Sequence, residues 1–487
     1  MPAAQISKVV VHMYKMGTGD CFVLKFHDGN KILFKILIDC GCWSGSKAEL
    51  RPYIEKLKDD VKGHVDVLIV THEHKDHVYG FEAGSDIFLD NITVDQIWMG
   101  WTEKDSDPKV KRWKEKYAER TLAIAKAAQE VRNRLDSPGY ESQYKDSQFK
   151  DEIFHLHTHF KDVLGEFADL HASGTVKPGL EGMRVVKEDI AKNNIQYFKP
   201  GTIMKDIEGL PGIKIFVLGP PLLYDTVKTE SGGPGESYDH NKDIDADELL
   251  LGAIDFHALG DSDEKIFPFD VTYEITDPDR KDAADAAYKH EAWRGIDFDW
   301  LMSSGSLALR MNSLTNNLSL ALAFQFPKEK KVLLFPGDAE FGSWSSWHDI
   351  RWPDEEGTIE TKDLLSQTVF YKVAHHLSHN GTAQNLGLKL MTHKDLAAMA
   401  SLDYNIISNG WKSTMPNRLI IKDLLAQTKG RLMIMNTDNL FYDLDDLEKL
   451  SDKIVEHQAN MKPAEKKKFD EDFDNTDEHF MEYVVRI

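Results

Sequence analysis

Residues 71–80 read THEHKDHVYG and place His72, His74, Asp76 and His77 within six positions. Three imidazoles and one carboxylate form a borderline-to-hard donor set, suited to Zn²⁺ or Mn²⁺ rather than to an ion that demands thiolates. The cluster follows directly on the apolar run Val67–Val70, so a buried strand ends where the donors begin. Unbroken apolar runs mark strands covered on both faces, and α/β sites gather beyond the carboxyl ends of such strands. A solvated, histidine-rich loop is the bland alternative. With histidine at about one position in 25 and aspartate near one in ten, HxHxDH arises by chance in roughly one chain in several hundred, so metal ligation is the better reading.

Three other apolar runs end in the same manner. Lys31–Gly41 (KILFKILIDCG) ends in Asp39, Lys331–Glu340 (KVLLFPGDAE) delivers Asp338, and Gln367–Thr382 (QTVFYKVAHHLSHNGT) delivers His375 and His376. Four strand ends carrying His and Asp exceed what packing requires. Strand alternation points His375 and His376 in different directions without deciding which of them is the ligand. Lys372 would favour an anionic substrate, although a strand lysine is more often solvent-facing. The alternating triplet His155, His157 and His159 is read as a solvated or structural element.

The elements that must hold these residues form two strand-rich halves. Val9–Met13, Phe22–Phe26 and Ile32–Ile38 are predicted strands, with His27-Asp28-Gly29-Asn30 as hairpin chemistry. Residues 103–200 change character: good helix formers, mixed charge and helical apolar spacing predict a long helix over Pro108–Leu135 and a helical insertion or cap up to Pro200. Gly212–Pro220 resumes the strand pattern. Residues 224–300 read as an irregular, acidic, Gly/Ser-containing insertion. Leu307–Phe326, Val332–Phe335, Phe370–Ala374 and Tyr404–Ser408 complete the second half. Residues 445–487 form a charged C-terminal extension, helix-like over Asp445–Glu471, with Phe480–Ile487 returning as a strand.

In their order along the chain these pieces resemble the metallo-β-lactamase-fold hydrolases, above all the hydrolase domain of the ComEC-type competence proteins and its free-standing soluble relatives. The matching elements are GTGD (Gly17–Asp20), LIDCG (Leu37–Gly41), HEHKDH (His72–His77), FVLGPP (Phe216–Pro221), NNLSLAL (Asn316–Leu322), FPGDAE (Phe335–Glu340) and KVAHHLSHNGT (Lys372–Thr382). HEHKDH followed by PGD and HH is the specific part, and GTGD alone would be weak. The resemblance implies a single α/β domain, a four-layer αββα sandwich with a large helical insertion. It also implies two divalent ions, Zn²⁺ or Mn²⁺. His72 and His74 would bind the first, Asp76, His77 and one of His375/His376 the second, and Asp338 would bridge both. Asp39 would orient ligands rather than bind metal. The chain departs from the pattern at two points. Many lactamases and thiolesterases carry a further first-ion histidine where this chain has Leu218-Gly219-Pro220, so that ion is one ligand short unless water, substrate or an out-of-register His240 or His257 completes it. Leu377 stands where competence-type sequences usually have glycine.

Composition agrees with an intracellular enzyme. The 487 residues carry 59 Lys and Arg against 81 Asp and Glu, a formal net charge of −22. Such a surface repels polyanions at long range, which excludes a nucleic-acid-coating protein but not a nuclease whose metals act within a Debye length of about 8–10 Å. Three cysteines, Cys21, Cys40 and Cys42, form no disulfide-like framework and predict a reducing, cytoplasmic setting. No leader and no apolar run near ~18 residues appear, so no membrane association is expected.

Two cations about 3.5–4 Å apart bridge a water and lower its pKa toward ~7, giving a hydroxide nucleophile at neutral pH. Phosphodiesters gain most from such a centre, because their transition state gathers charge on oxygens that the metals touch. With the resemblance to the competence-type hydrolases, the expected function is a metal-dependent phosphodiesterase or nuclease acting on DNA, with Asp76, Asp39, His375 and His376 as the catalytic constellation. The alternatives are hydrolysis of phosphorylcholine esters or cyclic nucleotides, of β-lactams or thioesters, or a catalytically silent binding module. The two insertions would wall the cleft or form a homodimer or partner interface.

Overall fold

The run Val67–Val70 is a strand buried on both faces, and the layers of the molecule follow from it. In this computed structural model, Val67 and Ile69 enter one apolar core while Val65, Leu68 and Val70 enter another. The structure describes residues 5–112, 180–191, 194–227, 315–354, 357–378, 380–407, 415–442 and 448–487, short stretches at 168–170, 176–178 and 276–282, and isolated positions at 114 and between 229 and 238. Pro108–Arg112 are helical as expected, but the rest of the helix expected to Leu135 apart from position 114, with His155, His157, His159, His240, His257 and most of the acidic 224–300 segment, lies outside the described residues.

The first sheet contains β1 (Lys8–Tyr14), β2 (Phe22–Asp28), β3 (Lys31–Ile38), β4 (His64–Val70), β5 (Thr93–Gly100) and β6 (Ile195–Phe198). The second contains β7 (Ile203–Met204), β8 (Lys214–Val217), β9 (Leu322–Phe326), β10 (Lys331–Phe335), β11 (Thr368–Lys372), β12 (Ala397–Ala400) and β13 (Leu432–Ile434). The chain then returns to the first sheet with β14 (Phe473–Asp474) and β15 (Phe480–Arg486), giving the orders β14-β15-β1-β2-β3-β4-β5-β6 and β13-β12-β11-β10-β9-β8-β7. Each sheet joins antiparallel hairpins to a parallel set. In the first, β2 and β3 meet through the Gly29-Asn30 turn, where Gly29 has φ 57, and β3, β4, β5 and β6 run parallel. In the second, β10, β11, β12 and β13 run parallel. Parallel neighbours end on the same side, so Asp39 and the His72–His77 run leave one sheet together, as Asp338 and His375-His376 leave the other.

The inner faces of the two sheets form a single core, in which Val9, Val11, Phe22, Leu24 and Phe26 meet Ile215, Val217, Phe324, Leu333 and Phe370. Each fully buried side chain of this kind contributes about 1.5–3 kcal/mol. Behind the first sheet pack α1 (Lys47–Val61) and α2 (Lys75–Ala83). Ser46 starts α1 through a capping box with Glu49, and the helix buries Leu50, Ile54, Leu57 and Val61. The helix Arg418–Thr428 lies against β12 and β13, burying Ile420, Ile421, Leu424 and Leu425. The fold is thus the mixed α/β sandwich, helix–sheet–sheet–helix, that the sequence implies.

Three local expectations change. Tyr404–Ile407 is a turn rather than a strand, and the strand beside β11 is Ala397–Ala400, whose small residues carry no β-branched signature. The chain after Val70 is a loop only as far as His74, because α2 begins at Lys75. Residues 180–198 contain a strand of the main sheet, and the chain divides into two compact units: Met1–Val110 with Gly179–Asn241 and Ser313–Ile487, and Lys111–Pro178 with Lys242–Asn312. Within the second unit, Ala168–Leu170 pairs antiparallel with Val176–Pro178.

A buried polar cluster ties β1, β2, α1 and β15 together. Asp60 accepts from His12 Nδ1 at 2.9 Å, from Tyr14 at 3.2 Å and from the Lys25 ammonium, while His12 Nε2 lies 2.7 Å from Glu482. Burial alone would raise the Asp60 carboxyl, but His12 and Lys25 outweigh it and hold the group at about 2. Because this pKa is depressed, the associated stability is complete above the ordinary carboxylate value and is lost as pH falls through about 2. We expect Asp60→Asn to lower the unfolding free energy near pH 6 by about 3–5 kcal/mol, the scale for breaking a buried pair. Denaturant unfolding should show that gap narrowing below pH 4. A gap that stays constant down to pH 3 would mean that Asp60 contributes packing rather than charge.

Candidate metal centre

Asp76 and His77 sit in the first turn of α2, where the positive end of the helix dipole favours a carboxylate. The helix is set against the Asp39–Cys42 turn by backbone bonds: Cys40 N–H to the His77 carbonyl at 2.9 Å, and Gly80 N–H to the Cys40 carbonyl at 2.8 Å. The approach needs glycine. A Cβ on Gly41 would stand 2.2 Å from the Asp76 carbonyl carbon and from the His77 nitrogen. From the other sheet, the turn after β10 presents Asp338, and the turn after β11 presents His375 and His376. Leu320 N–H donates to the Thr71 carbonyl at 2.9 Å, tying the edges of the two sheets together.

Four side chains converge. His77 Nε2 lies 3.0 Å and His376 Nε2 3.1 Å from Asp338 Oδ2, and Asp76 Oδ2 lies 3.0 Å from His376 Nε2. Asp76 Oδ1 is 3.8 Å from His77 Nε2. All four residues are buried. Hydrogen bonding fixes what the ring nitrogens offer. His77 Nδ1 is 2.8 Å from Asp39 Oδ2, while Asp39 also accepts the Thr71 N–H at 2.8 Å and its hydroxyl at 2.7 Å. His376 Nδ1 is 3.1 Å from the Ser401 carbonyl, which can only accept. With both Nδ1 atoms engaged, each Nε2 is the nitrogen left to face inward, its hydrogen turned to Asp338 in the metal-free protein and a lone pair in its place once a cation displaces that hydrogen. Asp76 Oδ1, His77 Nε2, Asp338 Oδ2 and His376 Nε2 have no hydrogen-bond partner among the described residues. Four inward-facing ligand atoms fit a cation: a tetrahedral ion with bonds of about 2.0–2.2 Å sets its ligands about 3.4 Å apart.

His72 and His74 lie beside this group. His72 Nδ1 is 3.0 Å from the Thr71 hydroxyl and 3.2 Å from that of Ser319, and its Nε2 faces His74 Nδ1 at 3.0 Å. The pair sets two ring nitrogens side by side, and among the described residues no third donor joins them within one metal-sized group. Burial pushes both rings toward the neutral, ligating form, with His74 lowered to about 4. Burial also disfavours charge on His77 and His376, but Asp338 and its acidic neighbours outweigh it and raise both, His376 to about 9.

The sequence left His375 and His376 open, and their geometry differs. His376 enters the four-residue group. His375 turns to Glu340, 3.2 Å from its Nδ1, and to the Asn316 amide at 3.3 Å. The divergence is built into the backbone, because His375, His376 and Leu377 have φ of 47, 48 and 66. Left-handed backbone costs a non-glycine residue about 1–2 kcal/mol. Leu377, fully buried, carries part of that strain. Lys372 overturns its expectation: it is buried and paired with Asp338 Oδ1 at 2.9 Å and with Asp20, not solvent-facing. Sequence reasoning missed Asp20, Ser401, Ser319 and Lys372 as neighbours of the site. The GTGD motif was the single signal for Asp20 and NNLSLAL for Ser319, and Ser401 had none.

A family model described as the Metallo-beta-lactamase superfamily matches residues 17–159. The match supports that superfamily. It covers the GTGD loop, Asp39 and the complete HEHKDH run, and stops short of Asp338 and His376. No curated protein and no solved structure gives a significant match. Metallo-β-lactamase folds bind divalent metal, typically Zn²⁺, and the superfamily suggests a metal-dependent hydrolase. Among the described residues no helix is long and apolar enough to cross a membrane.

Elemental analysis separates the paired histidines. His376→Ala should lose one metal equivalent, whereas His375→Ala should keep the wild-type content. Gly41→Ala should also deplete that ion, because the added methyl must displace the Asp76–His77 backbone. Equal metal loss in His375→Ala and His376→Ala would show that both rings ligate.

Proposed function

We propose that the protein is a metal-dependent phosphodiesterase, with DNA as its substrate class. The observation that carries the metal-dependent part is the convergence of Asp76, His77, Asp338 and His376 with their ligand atoms inward and both Nδ1 atoms engaged elsewhere. The phosphodiester part is supported by the ordered motif set, in which HEHKDH, PGD and HH resemble the competence-type hydrolases. Divalent cations held there supply an activated water and positive charge for oxygens that become more negative in the transition state. The chain's own residues do the rest. Asp39 holds the His77 ring, Ser401 holds the His376 ring, and Asp338 faces both. His375, fixed by Glu340 and Asn316, stands next to the cluster as a ring able to hold or move a proton at the leaving-group oxygen. Lys372 has all its hydrogens engaged inside the protein and does not greet the substrate.

The acidic balance of the chain shapes this reading. DNA approaching a protein of net charge −22 must be held locally, by the cations and short-range contacts rather than by a broad basic face. Small phosphodiesters escape much of that repulsion, so phosphorylcholine esters and cyclic nucleotides stay as outcomes of the same test. A binding module that has lost chemistry is the rival from another class, and the retained HxHxDH run, Asp338 and His375-His376 speak against it.

The test is a screen with Mn²⁺ or Zn²⁺ across linear DNA, plasmid, RNA, cyclic nucleotides and bis-p-nitrophenyl phosphate. DNA and the model diester should be hydrolysed, and chelation should stop both. Asp76→Ala and His77→Ala should abolish turnover while leaving the fold intact by circular dichroism. Near-wild-type turnover in both variants would sink the assignment. The resemblance makes Asp338 the carboxylate that two ions would share, so Asp338→Ala should deplete both metal equivalents. His72→Ala or His74→Ala should deplete mainly one. If Asp338→Ala keeps both ions while His72→Ala loses both, the shared carboxylate is elsewhere.

A further inference from the structure

Lys372 is a buried ammonium inside a site built for cations, which calls for a reason. Its three hydrogens have three acceptors: the Gly337 carbonyl at 2.9 Å, Asp338 Oδ1 at 2.9 Å, and Asp20 Oδ2. Lys372 ends β11 in the second sheet, Gly337 and Asp338 form the turn after β10, and Asp20 belongs to the loop that precedes β2 in the first sheet. One nitrogen therefore joins three chain segments behind the metal-facing atoms. Asp20 reaches further. Its Oδ1 accepts from the Ser401 hydroxyl, its carboxylate lies 3.7 Å from His376 Nδ1 and 3.8 Å from His77 Nδ1, and its backbone N–H donates to the Asp76 carbonyl at 2.9 Å.

From this arrangement we infer that Lys372 and Asp20 are positioning residues, a charge-neutral clamp that sets the orientation of Asp338 toward the metal. Lys372 occupies Oδ1, so Asp338 presents Oδ2 to His77 and His376. The His375 N–H, 3.2 Å from the same Oδ1, fixes the carboxylate from the other side. A lone ammonium here would repel a cation by several kcal/mol even at an effective dielectric near 20. The Asp20 carboxylate cancels that charge, so the pair contributes direction without net charge. An unpaired Lys372 or an unpaired Asp20 would each disturb the site by charge as well as by geometry. The charge-balanced double variant is therefore the clean probe.

The inference rests on the metal-centre reading and not on the identity of the substrate. The experiment compares wild type with Asp20→Asn/Lys372→Met by thermal unfolding in chelator, by Co²⁺ titration followed through its visible d–d absorption, and by Mn²⁺ affinity. The double variant should unfold within a few degrees of the metal-free wild type. Its metal affinity should fall about 10–100-fold, the scale for losing groups that orient ligands, and its Co²⁺ spectrum should change in intensity and position. Lys372→Met alone should fall below the double variant in chelator, since it leaves Asp20 buried and unpaired. Wild-type affinity and spectrum in the double variant would overturn the inference. So would a double variant that fails to fold, because the pair would then be a core staple first. If wild type itself binds neither ion, the metal-centre reading has failed, a result that binding to wild type but not to the double variant cannot be mistaken for.

Discussion

The bond from His77 Nδ1 to Asp39 is the interaction on which the rest of the site depends. A histidine ring offers either of two nitrogens, and a metal centre needs to know which. Asp39, buried and already accepting two donors from Thr71, takes the Nδ1 hydrogen and leaves Nε2 as the nitrogen that faces the site. The Ser401 carbonyl does the same for His376. Both decisions are made by groups just outside the ring of ligands, and both are anchored in backbone that the sheets hold rigid. Asp39 leaves β3 with φ 55, a left-handed step that aims its carboxylate across at β4 rather than along its own strand.

Two kinds of local backbone freedom make the convergence possible. Glycine at Gly41 lets the Asp39–Cys42 turn touch the first turn of α2, so that strand and helix approach more closely than side chains would allow. After β11 the opposite occurs: three consecutive non-glycine residues accept left-handed backbone, and surrounding bonds hold them there. The Val373 N–H donates to Met399 at 2.8 Å, the Ser378 N–H to His375 at 2.7 Å, and the Asn417 N–H to Leu377 at 2.8 Å. Strain of this kind persists where the surroundings over-determine the backbone, and such places gather at functional sites.

How much of this was legible in the sequence depended on whether the signal was local. The apolar runs ending in Asp39, His72, Asp338 and His375 announced strands and their site-facing ends, because burial on both faces leaves an unbroken hydrophobic signature. Ala397–Ala400 left no such signature: its alanines are fully buried by large neighbours rather than being large themselves. The choice between His375 and His376 was equally illegible. Alternation applies to a strand, and these residues have left it for left-handed backbone, where neighbouring side chains diverge by a rule that residue types do not encode. Lys372 was misread because a lysine at a strand end is ordinarily solvated, and its partners Asp20 and Asp338 lie 352 and 34 positions away.

That last pairing bears on why a strongly acidic chain tolerates so dense a carboxylate cluster. Asp20, Asp39, Asp76 and Asp338 are all buried within one region. Four buried carboxylates without compensation would each face a desolvation penalty of several kcal/mol. Lys372 balances the charge of Asp20 and also donates to Asp338 Oδ1, and His77 donates to Asp39. What remains uncompensated is Asp76 and the Oδ2 side of Asp338, the two acceptors that point at the Nε2 atoms of His77 and His376. The negative charge left over is thus confined to the point where a cation fits, and the rest of the cluster is neutralised by the protein itself. In a protein with a net charge of −22, that confinement bears on the proposed function. Charge spread through the site would repel an anionic substrate at the distance where chemistry occurs, whereas charge matched by bound cations does not.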